Sequence, residues 1–356
     1  MRGKKYRLWL PLLVLLMTGL CFSLLCCASI GRNPSGDDLA RMEKSPNYRD
    51  GKFHNQIPTP MFAEGTNFFK ALFGGMFSSG KNLKPGVPLP ATHAELKNLP
   101  DNSLVWLGHS SWLFKIDNRT ILVDPVIDAY AAPLPLFNRA FKGTTVFTPQ
   151  DFPAIDYLLL THDHWDHLEY PTLKELIPKI RTVVCPLGVG SHLEEWGFPP
   201  AKINEKDWYD SLDLGDGCVL HVIPARHFSG RLLARDKTLW AGYAIITPKA
   251  KIFISGDSGY GPHFKEAGAK FGGFDLVILE NGQYDRRWPY VHMFPEETAR
   301  AAEELGAAIL MPCHNGRFAM ASHAWDEPVK RLAEASKDKS YELIVPEIGK
   351  IMPLVP

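Results

Sequence analysis

Residues 157–167 read Tyr-Leu-Leu-Leu-Thr-His-Asp-His-Trp-Asp-His, an apolar run followed at once by a His-x-His-x-Asp-His pattern. Four side chains of this stretch are able to bind a transition metal: His162, His164, Asp166 and His167. Such a concentration of donors is costly to build unless a cation neutralises and orders it. The stretch therefore predicts a β-strand that ends at a metal site.

Three further donors, His227, Asp257 and His314, also follow apolar runs, so one sheet edge is expected to gather all of them. Because side chains alternate along an extended segment, the first two histidines of the pattern point the same way and share one ion. The Asp-His pair that follows reaches a second ion, and a carboxylate bridges the two. Five imidazoles and two carboxylates suit Zn²⁺, and also Fe or Mn. Two ions about 3.5–4 Å apart support hydrolysis of a phosphoester, a lactone or an amide.

The bulk composition is that of an ordinary globular protein, with 356 residues, 45% of them hydrophobic and 22% charged. The 39 basic residues equal the 39 acidic ones, and this zero formal charge argues against a nucleic-acid partner. The six cysteines form no even framework and no Cys-x-x-Cys pair. Neither a disulfide scaffold nor a thiolate zinc site is therefore indicated.

Residues 1–30 have a basic start and then an almost uncharged run from Leu8 to Ile30, which is typical of a targeting segment. Three interpretations stay open: a cleaved secretory signal, a lipoprotein signal cut before Cys27, and an uncleaved membrane helix. The basic residues are expected to stay cytoplasmic while the body is exported. We predict a protein of the bacterial cell envelope or periplasm that is anchored to the membrane.

The rest of the chain divides into an extended arm, residues 31–98, and a hydrolase domain, residues 99–356. The arm is rich in Pro, Gly and Asn and contains an aromatic stripe at helical spacing, which either packs on the domain or dips into lipid. The stripe comprises Phe62, Phe68, Phe69, Leu72, Phe73, Met76 and Phe77. Strand patterns in the domain cover residues 103–107, 112–116, 120–123, 157–160, 182–185, 218–223, 240–247, 251–254 and 276–279. Helix patterns cover residues 171–176, 189–196, 295–305 and 327–335, so we expect two sheets covered by helices.

Through these motifs the chain resembles the metallo-β-lactamase superfamily. Within it, the chain is most similar to the N-acylphosphatidylethanolamine-hydrolysing phospholipase D group and its bacterial relatives. Besides residues 161–167, the resemblance is carried by WLGHSS at 106–111, VDP at 123–125, GDSGY at 256–260, YDRRW at 284–288, HMFPEE at 292–297 and HNGRF at 314–318. It implies an α/β fold, an αββα sandwich of the metallo-β-lactamase type with two zinc ions per chain at its edge.

The resemblance also implies a role for each donor. One zinc would be held by His162, His164 and His227, and the other by Asp166, His167 and His314, with Asp257 bridging them. A hydroxide between the ions would attack phosphorus, and Asp166 would orient it.

The resemblance implies supporting roles as well. His292 is expected to touch the substrate or to aid protonation of the leaving group. His109 and Asp124 are expected to support the ligands, Asp124 by accepting an imidazole N–H. Arg317 departs from the family's usual sequence and adds a cation, which is expected either to bind a phosphate or carboxylate or to pair with a surface acid.

Three functions follow from this reading. The leading hypothesis is a membrane-tethered zinc phosphodiesterase that acts on a phospholipid such as N-acylphosphatidylethanolamine. The second keeps the site but takes a lactone or another small carboxyl ester. The third is a non-catalytic envelope protein that binds metal for stability, although two complete ligand sets exceed what structural zinc requires.

Overall fold

The computed structural model describes residues 28–66, 82–134 and 137–354. Its strands, in chain order, are β1 (Tyr48–Arg49), β2 (Lys52–Phe53), β3 (Ser103–Gly108), β4 (Ser111–Ile116), β5 (Arg119–Val123), β6 (Ile155–Leu159), β7 (Ile180–Pro186), β8 (Ile203–Lys206), β9 (Ser211–Gly215), β10 (Cys218–Pro224), β11 (Ala241–Ile246), β12 (Lys251–Ile254), β13 (Phe274–Glu280), β14 (Ala307–Cys313), β15 (Glu342–Leu343) and β16 (Ile351–Pro353). Its α-helices are α1 (Asp37–Met42), α2 (Tyr170–Leu176), α3 (Gly190–Glu195), α4 (His263–Phe271), α5 (Pro295–Glu304) and α6 (Glu327–Ala335).

Two seven-stranded sheets form the body of the protein. The first has the order β16-β3-β4-β5-β6-β7-β8 and the second the order β15-β14-β13-β12-β11-β10-β9. Strands β5 to β8 pair in parallel, as do β12 to β15, whereas the other pairs are antiparallel. The carboxyl ends of parallel strands lie at one edge of a sheet. The loops that follow β5 and β6 therefore lie together, as do the loops that follow β12, β13 and β14, and loops in such positions often carry binding residues.

The main core lies between the sheets, where Trp112 and Phe114 of the first sheet belong to the same buried cluster as Tyr243 and Ile278 of the second. A second cluster covers the outer face of the first sheet with residues of α2 and α3. A third covers the outer face of the second sheet with residues of α4 and α5 and with Leu332 of α6. Each sheet therefore buries both faces, which explains the nearly continuous apolar runs of its central strands. The predicted pair of sheets covered by helices is confirmed.

The nine predicted strands and four predicted helices are all present, with ends that differ by up to two residues. Helix α4 was not predicted, because Gly268 interrupts its pattern. A side chain there would meet the carbonyl oxygen of Glu304, so this glycine permits two helices to pack closely. Strands β8 and β9 were also missed. Both lie at a sheet edge, where β8 is half-buried along its length and β9 is mostly exposed, so their sequences lack an apolar alternation.

The described part of the arm packs on the main domain. Met42 of α1 and Phe53 of the β1–β2 hairpin are buried in the central core, and the backbone N–H of Phe53 donates to the carbonyl of Asp236. Residues 1–27 and all of the aromatic stripe except Phe62 lie outside the described residues. Within the described ranges, no helix combines the length and apolar character that crossing a membrane requires.

Candidate metal centre

The structure brings all seven predicted donors together at one edge of the sandwich. The early cluster follows β6, and the loops after β10, β12 and β14 deliver His227, Asp257 and His314. Potential ligand atoms of His162, His164, His227 and Asp257 lie within 4.8 Å of one another. The same limit holds for His109, Asp166, His167 and His314. We call the first set the histidine-rich group and the second the aspartate group. The first set contains the three histidines predicted for one ion, and the second contains the three residues predicted for the other together with His109, which was expected only to support the ligands.

Atomic distances within the histidine-rich group are short. Nδ1 of His164 lies 2.9 Å from Nε2 of His162 and 3.2 Å from Nε2 of His227. Burial lowers the pKa of His162 and His227 well below the ordinary value, so these rings are neutral. Neutral imidazole nitrogens that face each other across such distances are the donor arrangement that a cation requires.

Asp257 lies between the two groups and offers one oxygen to each. Its Oδ2 is 3.7 Å from Nε2 of His227 and 3.8 Å from Nε2 of His162. Its Oδ1 is 3.1 Å from Nε2 of His167 and 3.2 Å from Nδ1 of His314. Burial acts to raise the pKa of this carboxyl, but the charges of His167 and His314 hold it well below the usual range. Asp257 is thus a carboxylate placed where the resemblance implied a bridge.

The donor set fits two metal ions on chemical grounds. Among the described residues, Nε2 of His167 and Oδ1 of Asp257 are buried polar atoms that lie 3.1 Å apart, yet neither has a hydrogen bond of suitable geometry. Buried polar atoms are rarely left without one, and coordination of a cation would satisfy both. Imidazole and carboxylate ligands suit zinc, iron and manganese alike, so the geometry leaves the identity of the metal open.

Supporting residues hold the ligands as the sequence predicts. Asp124 accepts a hydrogen bond from Nδ1 of His167 at 2.7 Å and another from the hydroxyl of Thr161 at 2.6 Å. His109 lies with its Nε2 2.9 Å from Oδ2 of Asp166. Such contacts fix the orientation of a ligand ring or carboxylate and tune its basicity.

Arg231 supports the motif loop and was not foreseen from the sequence. Its guanidinium donates to the carbonyl oxygens of Asp163 at 2.7 Å and Leu168 at 2.9 Å, so it spans the ligand-bearing loop. The same guanidinium lies 3.7 Å from the ring centre of Trp165. The local sequence around Arg231 does not predict these contacts, because they arise only when the loop after β10 packs against the loop after β6.

His292, predicted to touch substrate, lies beside Asp257 and His314, and its side chain is 12% exposed. Its ring is stacked on that of His314 with 15° between the planes, and its Nδ1 is 3.2 Å from Oε2 of Glu280. Burial opposes the charge on His292, but Glu280 outweighs this and raises its pKa. Glu280 itself is fully buried, and burial raises its pKa to about 7. It was missed, although as the last residue of β13 it follows an apolar strand as the other donors do.

Asn55 is a second unforeseen residue, contributed by the arm. Its side-chain amide donates to the carbonyl of His227 at 2.7 Å and accepts from the backbone N–H of His227 at 3.0 Å. The arm thereby pins the backbone of a predicted ligand.

The expectation for Arg317 is wrong in both of its forms. Its side chain is 1% exposed, so it neither faces a substrate nor pairs with a surface acid. Instead its guanidinium donates to backbone carbonyls, including those of Ile127 at 2.7 Å, Asp128 at 3.0 Å and Thr144. Arg317 ties together the loops behind the metal centre, because a planar fork of donors satisfies several carbonyls at once.

Comparisons with known proteins agree with this geometry. A family profile described as "Beta-lactamase superfamily domain" matches residues 119–315. An uncharacterized protein of Mycobacterium tuberculosis is 36% identical over 314 residues, which cover 86% of this chain and 84% of that protein. The N-acyl-phosphatidylethanolamine-hydrolyzing phospholipase D 1 of Caenorhabditis elegans is 27% identical over 269 residues, which cover 69% of this chain and 74% of that protein.

A similar fold occurs in a solved structure, the diiron β-hydroxylase CmlA of Streptomyces venezuelae. The TM-score is 0.55 at 19% identity, covering 72% of this chain and 55% of that one. At this identity the likeness concerns the fold alone. Fold, donor set and relatives together define a metal-dependent hydrolase. The chain belongs to the metallo-β-lactamase superfamily.

Proposed function

We propose that this hydrolase cleaves the phosphodiester bond of a phospholipid of the N-acylphosphatidylethanolamine type, with two zinc ions at the metal centre. The observation that carries the proposal is the pair of adjoining donor groups that share Asp257. Two ions held side by side are suited to in-line displacement at phosphorus, because they neutralise both the attacking and the leaving oxygen. The similarity to the Caenorhabditis elegans phospholipase D supports the choice of phosphodiester.

The ligand roles are those implied by the resemblance. One ion would be held by His162, His164 and His227, the other by Asp166, His167 and His314, with Asp257 between them. When bound, such ions supply Lewis acidity and a water nucleophile at neutral pH. The protein's own contribution is to exclude solvent and orient the ligands: among these side chains, Asp166 is only 10% exposed and Asp257 2%.

His292 is the residue that we expect to act on the substrate. It lies beside the donors, since its ligand atom falls within 4.8 Å of those of Asp257 and His314. Because Nδ1 is held against Glu280, Nε2 is the nitrogen left to meet the substrate. In this position it would donate a hydrogen bond to the leaving oxygen of the alcohol portion.

A cavity of about 490 Å³ beside Phe228 suits an anionic substrate portion. The phenyl ring of Phe228 lies 4.4 Å from the ring of His164, so the cavity adjoins the histidine-rich group. Its wall includes the basic residues Arg49, Lys52 and Arg235, against the single acid Asp236. This excess of positive charge favours a phosphate ester over a neutral lactone.

We further propose that the protein is exported and held at the membrane by its first residues, either as a lipoprotein or by a retained helix. The basic start and apolar run of residues 1–27 support this location, and a lipid substrate would require it.

The test is hydrolysis by the purified full-length protein loaded with zinc. Vesicles that contain N-acylphosphatidylethanolamine should yield phosphatidic acid and N-acylethanolamine, whereas a panel of lactones should react slowly or not at all. Asp257→Asn serves as the inactive control. Lactone turnover without release of phosphatidic acid would replace the proposed substrate class, and an absence of any ester hydrolysis would favour a non-catalytic metal-binding protein.

A further inference from the structure

The segment that follows the leader is held beside the metal-bearing loop by the side chains of Trp196 and Arg231. The carbonyl of Ala28 accepts a hydrogen bond from the indole N–H of Trp196 at 2.8 Å. The next two carbonyls, of Ser29 and Ile30, accept hydrogen bonds from the guanidinium of Arg231 at 2.6 and 3.0 Å. The other side of this guanidinium donates to the carbonyl oxygens of Asp163 and Leu168, in the loop that carries the predicted ligands. The apolar run of residues 1–27 therefore joins the body of the protein within one side chain of the predicted ligands.

The two residues after Arg231 are apolar and exposed. Leu232 is 59% exposed and Leu233 is 99% exposed, the highest value for a large apolar side chain among the described residues. We call this pair the leucine tip. Exposure of two adjacent leucines to water is unfavourable, and packing inside the protein does not account for their presence here.

The backbone holds the leucine tip in place. The loop closes through hydrogen bonds from the N–H of Ala234 to the carbonyl of Arg231 and from the N–H of Asp236 to the carbonyl of Ser229. Leu232 has a φ of 55°, a left-handed conformation that is costly for a branched side chain. Such strain persists only where surrounding contacts fix it, and it is found most often at binding and catalytic sites. The tip is thus presented outward by a closed loop.

The loop that bears the leucine tip also carries a basic residue. Arg235 follows the tip in the same loop, and with Arg49 and Lys52 it lines the cavity beside Phe228. Anionic lipid headgroups are attracted to such residues, and apolar residues flanked by basic ones are typical of segments that rest in a membrane interface.

We propose, on the basis of the membrane association proposed above, that the leucine tip inserts into the surface of the bilayer and turns the metal centre toward the lipid. The occupant of this surface is a lipid bilayer, because the apolar leader runs up to Ile30, whose carbonyl oxygen accepts a hydrogen bond from Arg231 of the same loop. Attachment at residue 27 and insertion at Leu232 and Leu233 give two points of contact on one face. The cavity beside Phe228 is lined by the predicted ligand His227 and by Arg235 of the same loop, so a phospholipid would reach the site from the bilayer without crossing water.

The test uses the full-length protein, recovered from bacterial membranes and reconstituted in vesicles of phosphatidylethanolamine and phosphatidylglycerol. A Leu233→Cys variant carries an environment-sensitive fluorophore, and the vesicles contain lipids with a nitroxide on the acyl chain. The matched control is Lys249→Cys. Its side chain is 66% exposed, and it lies in the β11–β12 turn at the opposite edge of the sandwich. The unsubstituted chain, labelled in parallel, gives the background from the cysteines of the leader, and Leu232→Cys is a second probe of the tip.

We expect the nitroxide lipids to quench the label at position 233 several-fold more than the label at position 249. Equal quenching at the two positions, or none at 233 and 232, would overturn the proposal, as would recovery of the chain outside the membrane fraction. Because the fluorescence signal needs no turnover, a missing phospholipase activity would contradict the proposed substrate and leave this result standing on its own.

Discussion

The two edges of the sandwich use the same backbone conformation for different reasons. At the edge of the metal centre, His109, Asp124 and His314 have φ values of 54°, 39° and 62°, and all three are at most 1% exposed. At the opposite edge, Asp117 and Asn118 of the β4–β5 turn have φ values of 46° and 64°; Asn118 is exposed and Asp117 is half-buried. Asp and Asn adopt this conformation at little cost, which is why they occur in turns.

Backbone strain is concentrated at the edge of the metal centre. The far turn places Asp and Asn in a conformation that these residues adopt at little cost, and its two N–H groups donate to the side chains of Asn102 and Asp101. The strained residues of the metal edge are held by contacts from distant segments, such as the hydrogen bond from Nδ1 of His167 to Asp124. Substitutions should therefore have large consequences at the metal edge and small ones at the turn edge.

The largest effect is expected for Asp257→Asn, which replaces the carboxylate shared by both donor groups. Turnover should fall on the order of a thousandfold or more, equivalent to at least about 4 kcal/mol of transition-state stabilisation, and the bound metal should fall below two ions per chain. Steady-state kinetics and elemental analysis measure the two quantities. Asp156→Asn is the matched control, because Asp156 only accepts a hydrogen bond from the N–H of Thr120. Retention of two ions and full activity by the Asp257 variant would show that the bridge is misassigned.

A smaller loss is expected for Asp124→Asn, which weakens the hydrogen bond that orients His167. Removal of such a supporting carboxylate typically costs about 10–100-fold in metal affinity or activity. Competition with a chelator measures the affinity. His221→Asn, at a half-buried histidine remote from the donors, should leave it unchanged. An unchanged affinity for Asp124→Asn would mean that the carboxylate only stabilises the strained turn.

Arg317→Met should lower the free energy of unfolding and leave the catalytic reaction of the folded protein unchanged. Loss of the guanidinium leaves several buried carbonyls without a donor, and we expect a decrease of about 2–4 kcal/mol in the free energy of unfolding. Urea denaturation measures this change, with the exposed Arg300→Met as control. KM of the folded variant should equal that of the parent. A rise in KM without a loss of stability would instead indicate that Arg317 binds the substrate.

The smallest effect is expected at the far edge, for Asn118→Gly. Both residues accept a left-handed conformation, so the free energy of unfolding should change by less than about 0.5 kcal/mol. Metal content and turnover should not change. A loss of activity here would contradict the distinction between the two edges.

Much of the metal edge could be predicted from the sequence, because each donor directly follows a strand with a clear apolar pattern. The position of Asp257 after β12 and of His314 after β14 needed only that pattern and the rule that parallel strands end together. Glu280 occupies an equivalent place at the end of β13. Its role went unpredicted because a lone glutamate carries no motif.

The remaining features depend on contacts between distant segments. Asn55 reaches His227 across 172 residues of chain, and Arg231 reaches Ile30 across 201. No local pattern encodes such pairs. For the same reason the sequence predicted that Arg317 either binds a phosphate or carboxylate or pairs with a surface acid. Its position close to His314 was visible in the sequence, whereas the burial of its side chain is decided by the loops that fold over it.

The most direct test of the central claim is a crystal structure of the purified protein with anomalous diffraction recorded at the zinc, iron and manganese edges. We expect two anomalous peaks about 3.5–4 Å apart, one among His162, His164 and His227 and the other among Asp166, His167 and His314, with Asp257 between them. A single peak, or a pair of peaks away from Asp257, would contradict the proposed two-metal centre.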